Sequence, residues 1–585
     1  MKKIVTVVLA AALAFSLTAC GSGSGSSGSS SGGAAAPAET TKAAVQISGI
    51  GTTTAAPAET QAAPAETQAA PAETQAASAE TTAAAAETTA AVPAAAKKTE
   101  LVVGHPAEPD AFVPWNTVTS NTNDDNIMTQ NIYEGMLKMM PDGSMEKLLA
   151  KEFEWNDTKD AVHITIRDDV KFCNGEPMTA EDVVWTFNQY IEGKNAFWKC
   201  VDHVEQIGDY DLTITLKYPY AGFEAGAMAS RFGLIGSKKY FEEVGMDEYN
   251  EHPVGSGPYM LTEKKLADHQ TFEVNPYYYG EEPFYKKITV KFLTDPNTQM
   301  LSLETGEVDV FCNGSLDQFL RLDPNGDVKF EVAQASGFII GSFNKDAFPS
   351  SNLDFRKAVV SAINKNDLND VLYGGYSTPL DIHALPFYTS CPAEGTYTPT
   401  YPYDLEAAKE FLKASGYNGE EFIIKCATGS KGETAAVIIQ GALINLGINC
   451  TVKSLDNASN SALGKLADGW HFNLGNGAVS DLDVFNTRTW YGLDFFESTG
   501  NPGQYHVADK NDPTDVEISR LYEEGLVMPE GEERTAVAAK LVSLLNENVT
   551  NYTALADLNC AAYHTYVEGI HSRPLRSSYY FIEWH

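Results

Sequence analysis

Two aspartates two residues apart, Asp481 and Asp483, sit in the stretch GNGAVSDLDVF at 475–485. Paired carboxylates beside glycines can coordinate a metal, move protons or hold a cation, and their spacing alone does not choose among these. A calcium loop needs oxygen ligands at alternate positions, a glycine at the sixth and a glutamate at the twelfth. Asp323, Asn325 and Asp327 begin such a pattern, but Val328 and Gln334 stand where it needs those two residues. Asp481 and Asp483 fail the same test, with Phe485 at the fifth position. The 11 histidines are scattered, with no H-E-x-x-H pair. Phosphate-binding glycine loops are absent, and GSGSG at 21–25 and GSG at 255–257 lack the strand-to-helix elbow of a serine hydrolase. Nothing in these patterns argues for an enzyme, and no catalytic residues, no metal and no cofactor are expected.

The bulk properties narrow the partners. The chain has 585 residues, more than one ordinary domain, and carries 41 Lys+Arg against 78 Asp+Glu, a formal charge of -37. Such a surface repels nucleic acid and anionic lipid headgroups. Aromatic residues make up 10% of the chain, enough for a sizeable core. Seven cysteines follow Cys20, so at least one is unpaired in a monomer, and none forms a C-x-x-C.

The start reads MKKIVTVVLAAALAFSLTAC: two lysines, an apolar run too short to span a membrane comfortably, then small residues before a cysteine. Leu17-Thr18-Ala19-Cys20 resembles the lipobox of bacterial lipoproteins, which implies lipidation of Cys20 after removal of 1–19. Residues 20–98 then form a tether. Gly21 to Gly33 is nearly all Gly and Ser, and AAPAETQ repeats at 55–61, 62–68 and 69–75. Recurrent proline and the lack of large apolar residues rule out a coiled coil and leave too little surface to bury. As a coil this stretch spans roughly 50 Å, room for an anchored domain to stand off the membrane.

Folded structure is expected from about Glu100. VHITIR (162–167) and DLTITLK (211–217) alternate like half-exposed strands, and a helix between them opens on the capping box Thr179/Asp182. Further on, EFIIKCA (421–427), a helix over 433–446 closed by Gly447, and INCTVKSL (448–455) make a βαβ unit and hence a parallel pair. Helices are also expected at about 354–363, 405–414, 514–525 and 531–546, before a final strand NYTALADL.

Several blocks together resemble the family 5 extracellular solute-binding proteins, the receptors of peptide and nickel ABC importers. RDDVKFCNGEPMTAEDVVWTFN (167–188) is similar to the family's main signature, with Asp169, Cys173 and Asn174 replacing the usual Gly, His and Asp. NIYEGMLKMMPDGSMEKLLAKEFEW (131–155), VGSGPYMLTE (254–263), the block 275–311 ending in GEVDVF, DFRKAVVSAINKNDL (354–368) and YDLEAAKEFLKASGY (403–417) follow in the family's order.

The resemblance implies an α/β fold of two lobes, periplasmic-binding-protein-like (type II), with an extra subdomain inserted in the first. The expected boundaries are 99–337 for lobe I, with the insert at about 141–250, 338–548 for lobe II, and 549–585 returning to lobe I. It also implies a monomeric, lipid-anchored protein outside the cytoplasm. Such a protein captures a solute, an oligopeptide by expectation, and serves membrane permease subunits of an ABC importer. An oligosaccharide, a metal chelate, a cationic metabolite, or a sensing role without transport are the alternatives. Peptide-binding relatives place an aspartate three positions before the first aspartate of a D-P-D-like stretch, to pair with the peptide ammonium. Here that position is Ala478, which leaves Asp481 or Asp483 as substitutes. By position, Trp115, Asn116, Phe338, Trp470, Asn476, Arg488 and Trp490 are further ligand candidates.

Overall fold

The structure is a computed structural model describing residues 98–109, 111–115, 123–140, 144–312, 314, 316–478, 482–490 and 506–567. The N-terminal leader, Cys20, the repeat tether, Asn116, Asp481 and residues 568–585 lie outside the described residues, as does the side chain of Trp490. The described residues belong to one compact unit, Val92–His585.

Its strands run β1 (Glu100–His105), β2 (Leu137–Met139), β3 (Met145–Lys147), β4 (Ala150–Trp155), β5 (Ala161–Ile166), β6 (Val201–Gln206), β7 (Asp211–Leu216) and β8 (Tyr259–Lys265). They continue with β9 (His269–Val274), β10 (Lys287–Phe292), β11 (Val310–Cys312), β12 (Val328–Phe343), β13 (Phe422–Ala427), β14 (Cys450–Leu455), β15 (Phe472–Ala478) and β16 (Asn551–His564). Ten of them form one sheet in the order β14-β13-β15-β12-β16-β11-β1-β10-β9-β8, and β4-β5-β7-β6 form a separate antiparallel sheet.

The alternation of the two segments expected to be half-exposed strands becomes this smaller sheet. Val162, Ile164, Ile166, Leu212, Ile214 and Leu216 all face inward, each nearly or fully buried. Across that face lies the helix Ala180–Glu192, where the Asp182 carboxylate accepts from the Thr179 N–H at 3.0 Å, completing the capping box. In the large sheet β13 and β14 pair in parallel and the helix Lys431–Leu446 connects them, as a parallel pair requires. That helix ends on Gly447 at φ 101°, a left-handed conformation that glycine adopts without strain.

Two long strands, β12 and β16, run through the middle of the large sheet. β12 pairs with β15 along one edge and with β16 along the other, while the far end of β16 pairs with β11. The β12–β16 ladder breaks register between Gln334 and Phe338 and again between Ile339 and Ile340. Such bulges bend and twist a strand pair. Gly341 sits where a Cβ would lie 1.9 Å from the Phe472 ring, so β12 and β15 can approach only because that position is bare.

Two apolar cores flank the sheet. One contains Ile339, Phe343, Phe355, Phe422, Ile439 and Leu555. The other runs from Val103, Phe172 and Trp198 through Phe338 and Ile340 to Leu482, Leu521 and Leu541. All seven cysteines after Cys20 are free, five of them buried as small core residues. No helix among the described residues is long and apolar enough to cross a membrane.

Candidate functional site

The chain leaves β15 at Ala478 and re-enters the described structure at Leu482, held at φ 50°. A one-residue bridge between Asp483 and Thr389 then fixes its path, with the Thr389 N–H donating to the Leu482 carbonyl at 2.7 Å. A short turn of helix, Val484–Trp490, follows. This is the neighbourhood singled out from sequence, and the structure gives its two described charged residues opposite situations.

Asp483 is fully buried. Its carboxylate accepts from Arg534 Nη2 at 2.6 Å and from the Phe485 N–H at 3.0 Å. Arg534 is equally buried, donates to Ser390 Oγ at 2.7 Å and the Gly525 carbonyl at 2.8 Å, and stacks 4.6 Å from the Phe485 ring centre. Burial pushes the Asp483 carboxyl up and the guanidinium opposes it. Asp483 is thus engaged by the protein's own arginine, tying the turn to the helices Pro513–Leu526 and Glu532–Asn548.

Arg488 differs. It is half-buried, yet among the described residues it makes no hydrogen bond or ion pair. Its charge acts on the carboxyl of Asp483 and on the phenol of Tyr218, just past β7. Burial raises the Tyr218 phenol and Arg488 pulls it back.

The other sequence candidates are distributed as follows. Asn476 donates through Nδ2 to Asp557 Oδ2 at 3.3 Å, while its Oδ1 is buried without a partner. Asp557, on β16, also accepts from Tyr373 at 2.7 Å and Lys431 Nζ at 2.6 Å. Burial alone would raise its carboxyl, but Lys431 and Tyr373 hold it below the ordinary aspartate value. Phe338 lies on β12 with its ring edge-on to His383, 6.3 Å between centres. Burial, with Lys365 nearby, pushes that imidazole down to about 3, so it is neutral at physiological pH. Trp470 is fully buried, bonded to the Leu466 carbonyl at 2.9 Å, with Lys425 Nζ 4.9 Å from its ring centre. Trp115 packs in an aromatic cluster with Trp185, Phe241 and Tyr249, at centroid distances of 5.1, 5.6 and 5.4 Å. Phe338, Trp470 and Trp115 are thus core packing in this conformation.

Sequence reading passed over Arg534, Asp557 and Lys431. Arg534 had a detectable signal, because it shares the stripe of Ala538, Leu541, Val542 and Leu545 that the helix buries. A charge on a buried stripe implies a buried counter-charge. Asp557 and Lys431 come from segments 126 residues apart, and only the fold brings them together. No group of three or more His, Cys, Asp or Glu side chains suited to hold a metal occurs among the described residues.

Residues 144–495 match the family model described as bacterial extracellular solute-binding proteins, family 5 Middle. The chain belongs to this family. Among curated family 5 relatives, the nickel-binding periplasmic protein of Escherichia coli (strain K12) is 28% identical over 388 residues, covering 61% of this chain and 73% of that protein. The glutathione-binding protein GsiB of Salmonella typhi is 26% identical over 496 residues, 79% of this chain and 93% of its own length. Among solved structures, the periplasmic binding protein DppA of Helicobacter pylori in complex with the peptide STSA superposes with a TM-score of 0.68 at 21% identity, over 83% of this chain and 98% of that one. The two-lobe α/β architecture is therefore that of the family 5 periplasmic binding proteins.

Proposed function

We propose that this protein captures a small extracellular solute, a short peptide before other classes, between its two lobes and delivers it to the permease of an ABC importer. The observation that supports this best is the pair β12 and β16, whose bulged ladder joins the two halves of the large sheet. Bulges let two rigid lobes pivot without breaking the ladder that connects them. Capture by closure requires a solute that binds the closed arrangement better than the open one. Relatives named for nickel and for glutathione, and a related fold holding a peptide, show the range of solutes that family 5 accommodates.

Within that range Ala478 favours a solute that does not rely on an ammonium–aspartate pair at that position. A metal chelate is the second reading on the same ground. The lobe boundaries proposed are those read from the sequence, crossing within β12 and at the start of β16. Attachment through a lipidated Cys20 belongs to the same proposal, and labelling with a radioactive fatty acid should mark the wild-type chain but not Cys20→Ser.

The deciding experiment is a thermal-shift screen of the full chain against di- to pentapeptides, glutathione and nickel chelates, followed by small-angle scattering. A ligand at 100 times its Kd stabilises by about 2.7 kcal/mol, a clear shift in melting temperature, and the radius of gyration should fall. Unchanged dimensions at saturation would refute capture by closure.

A further inference from the structure

β16 lies between β11 and β12 in the large sheet, and its backbone is held unevenly along its length. On one edge the ladder with β12 steps from Phe338–Ala556 to Gln334–Leu558, which leaves Ala335 to Gly337 opposite Asp557 alone. On the other edge the Ala556 N–H donates to the Thr378 carbonyl at 2.9 Å, and β11 takes over at Ala561, opposite Cys312. Among the described residues, the ladders on both edges thus lapse together at Asp557. A strand bends most easily where its ladder is interrupted.

The side chain at that point supplies what the backbone does not. Asp557 is 6% exposed, and its Oδ1 accepts from Lys431 Nζ at 2.6 Å and from the Tyr373 hydroxyl at 2.7 Å. Its Oδ2 accepts from Asn476 Nδ2 at 3.3 Å. Lys431 opens the helix Lys431–Leu446, Tyr373 closes the helix Lys365–Tyr373, and Asn476 is on β15. All three donors therefore come from the stretch that runs from β12 to β15. Lys431 Nζ also lies 4.8 Å from the Tyr373 ring centre, so the two donors brace one another. The helix start is itself fixed, because a Cβ on Gly432 would lie 2.8 Å from the Gly475 Cα on β15. A buried carboxylate bonded to a cation is costly to release.

From this arrangement, and resting on the capture reading above, we propose that Asp557 pins the joint between the lobes. Through Lys431 and Tyr373 it ties β16, at its bend, to the β12–β15 half of the sheet, and so sets the angle between the lobes before a solute arrives. With the pin in place the unliganded protein keeps one narrow range of lobe angles. Without it β16 flexes at the bend, a smaller fraction of molecules is ready to bind, and apparent affinity falls by that fraction.

The test is single-molecule energy transfer in the full chain, between dyes on unnatural amino acids at Glu205 on β6 and Glu410 on the helix Leu405–Ala414, both exposed. It is run well below each variant's melting temperature, where loss of stability alone does not change the distance. Unliganded wild type should show one narrow population. Asp557→Asn and Lys431→Met should each broaden it, Tyr373→Phe should broaden it less, and Lys431→Arg, which keeps the charge, should restore it. Amide exchange over 555–560 should quicken about 10- to 100-fold in Lys431→Met, the worth of a charge-assisted bond.

Equal widths in wild type and Lys431→Met would overturn the assignment, and so would broadening in Lys431→Arg as large as in Lys431→Met. If Asp557→Asn does not fold, Lys431→Met and Tyr373→Phe, which leave the carboxylate in place, decide the matter. Glutathione, trialanine and the nickel–histidine complex are then added to wild type. If none of them shortens the distance, that result counts against the capture reading, whereas the unliganded widths report on the pin alone.

Discussion

Asp483→Ala isolates the buried ion pair behind the post-β15 turn. In the native protein both side chains are fully buried, 2.6 Å apart. Removing the carboxylate leaves Arg534 with Ser390 Oγ and the Gly525 carbonyl as hydrogen-bond acceptors and no compensating charge. An orphaned buried charge costs about 3–5 kcal/mol, a large part of a typical protein's whole stability. Replacing both partners with apolar residues of similar volume removes the orphan along with the bond, and such exchanges are often neutral. Urea unfolding followed by tryptophan fluorescence should therefore show a large fall in midpoint for Asp483→Ala. Asp483→Leu combined with Arg534→Met should recover most of the loss. The reasoning is refuted if Asp483→Ala keeps the wild-type midpoint, or if the double variant is no more stable than the single one. The same pair sharpens the ligand question: a fall in stability identifies Asp483 as structural, and a fall in affinity at intact stability would restore it as a contact.

Three further outcomes follow from the same physics. Glu134 is buried against Ser256, Tyr278 and Tyr279, and burial raises its carboxyl to about 7 despite their hydrogen bonds. The native state then keeps a proton that the unfolded chain releases, so stability should decline as pH rises from about 4.5 to about 7 and level off above, a change of up to about 3 kcal/mol. Glu134→Gln should flatten that part of a melting-temperature profile. Gly525→Ala would place a Cβ 2.0 Å from the Phe485 ring, and a loss of about 1–3 kcal/mol in urea unfolding is expected as the ring is forced aside. Lys431→Met leaves the buried Asp557 with neutral donors alone, which should lower stability at neutral pH by about 1–3 kcal/mol. The native carboxyl titrates below its ordinary value, so the gap from wild type should close as pH falls through that depressed pKa.

What the sequence disclosed was local. The helix over 405–414 opens on Asp404 as its capping pattern implied, and the final strand begins at Asn551, where NYTALADL placed it. The helix expected at 354–363 spans Leu353–Ser361. These elements are fixed by residues within a few positions of one another, and periodicity and caps report them directly. The site lay mostly beyond that reach. Asp481 and Asp483 look alike in a string of letters, and only the arrival of Arg534 from 51 residues away gives Asp483 its role. Burial of Phe338 and Trp470 likewise follows from partners contributed by other segments. Arg488 could be nominated from its position, but that it lacks a partner among the described residues is a property of the folded chain alone.

The path of β16 has a consequence for the order of assembly. β1 and β8 to β11 supply one half of the large sheet and β12 to β15 the other, and in the strand order β16 is what lies between β11 and β12. A nascent chain released up to residue 548 would hold every strand of both halves and still lack the element that joins them. Neither half can become one continuous sheet with the other until the last described strand has emerged, so closure depends on contacts between residues more than 200 positions apart, Val328 with His564 and Val310 with Tyr563 among them. Such distant pairing makes folding slow. A truncation just before Asn551 should therefore yield two half-sheets that never lock.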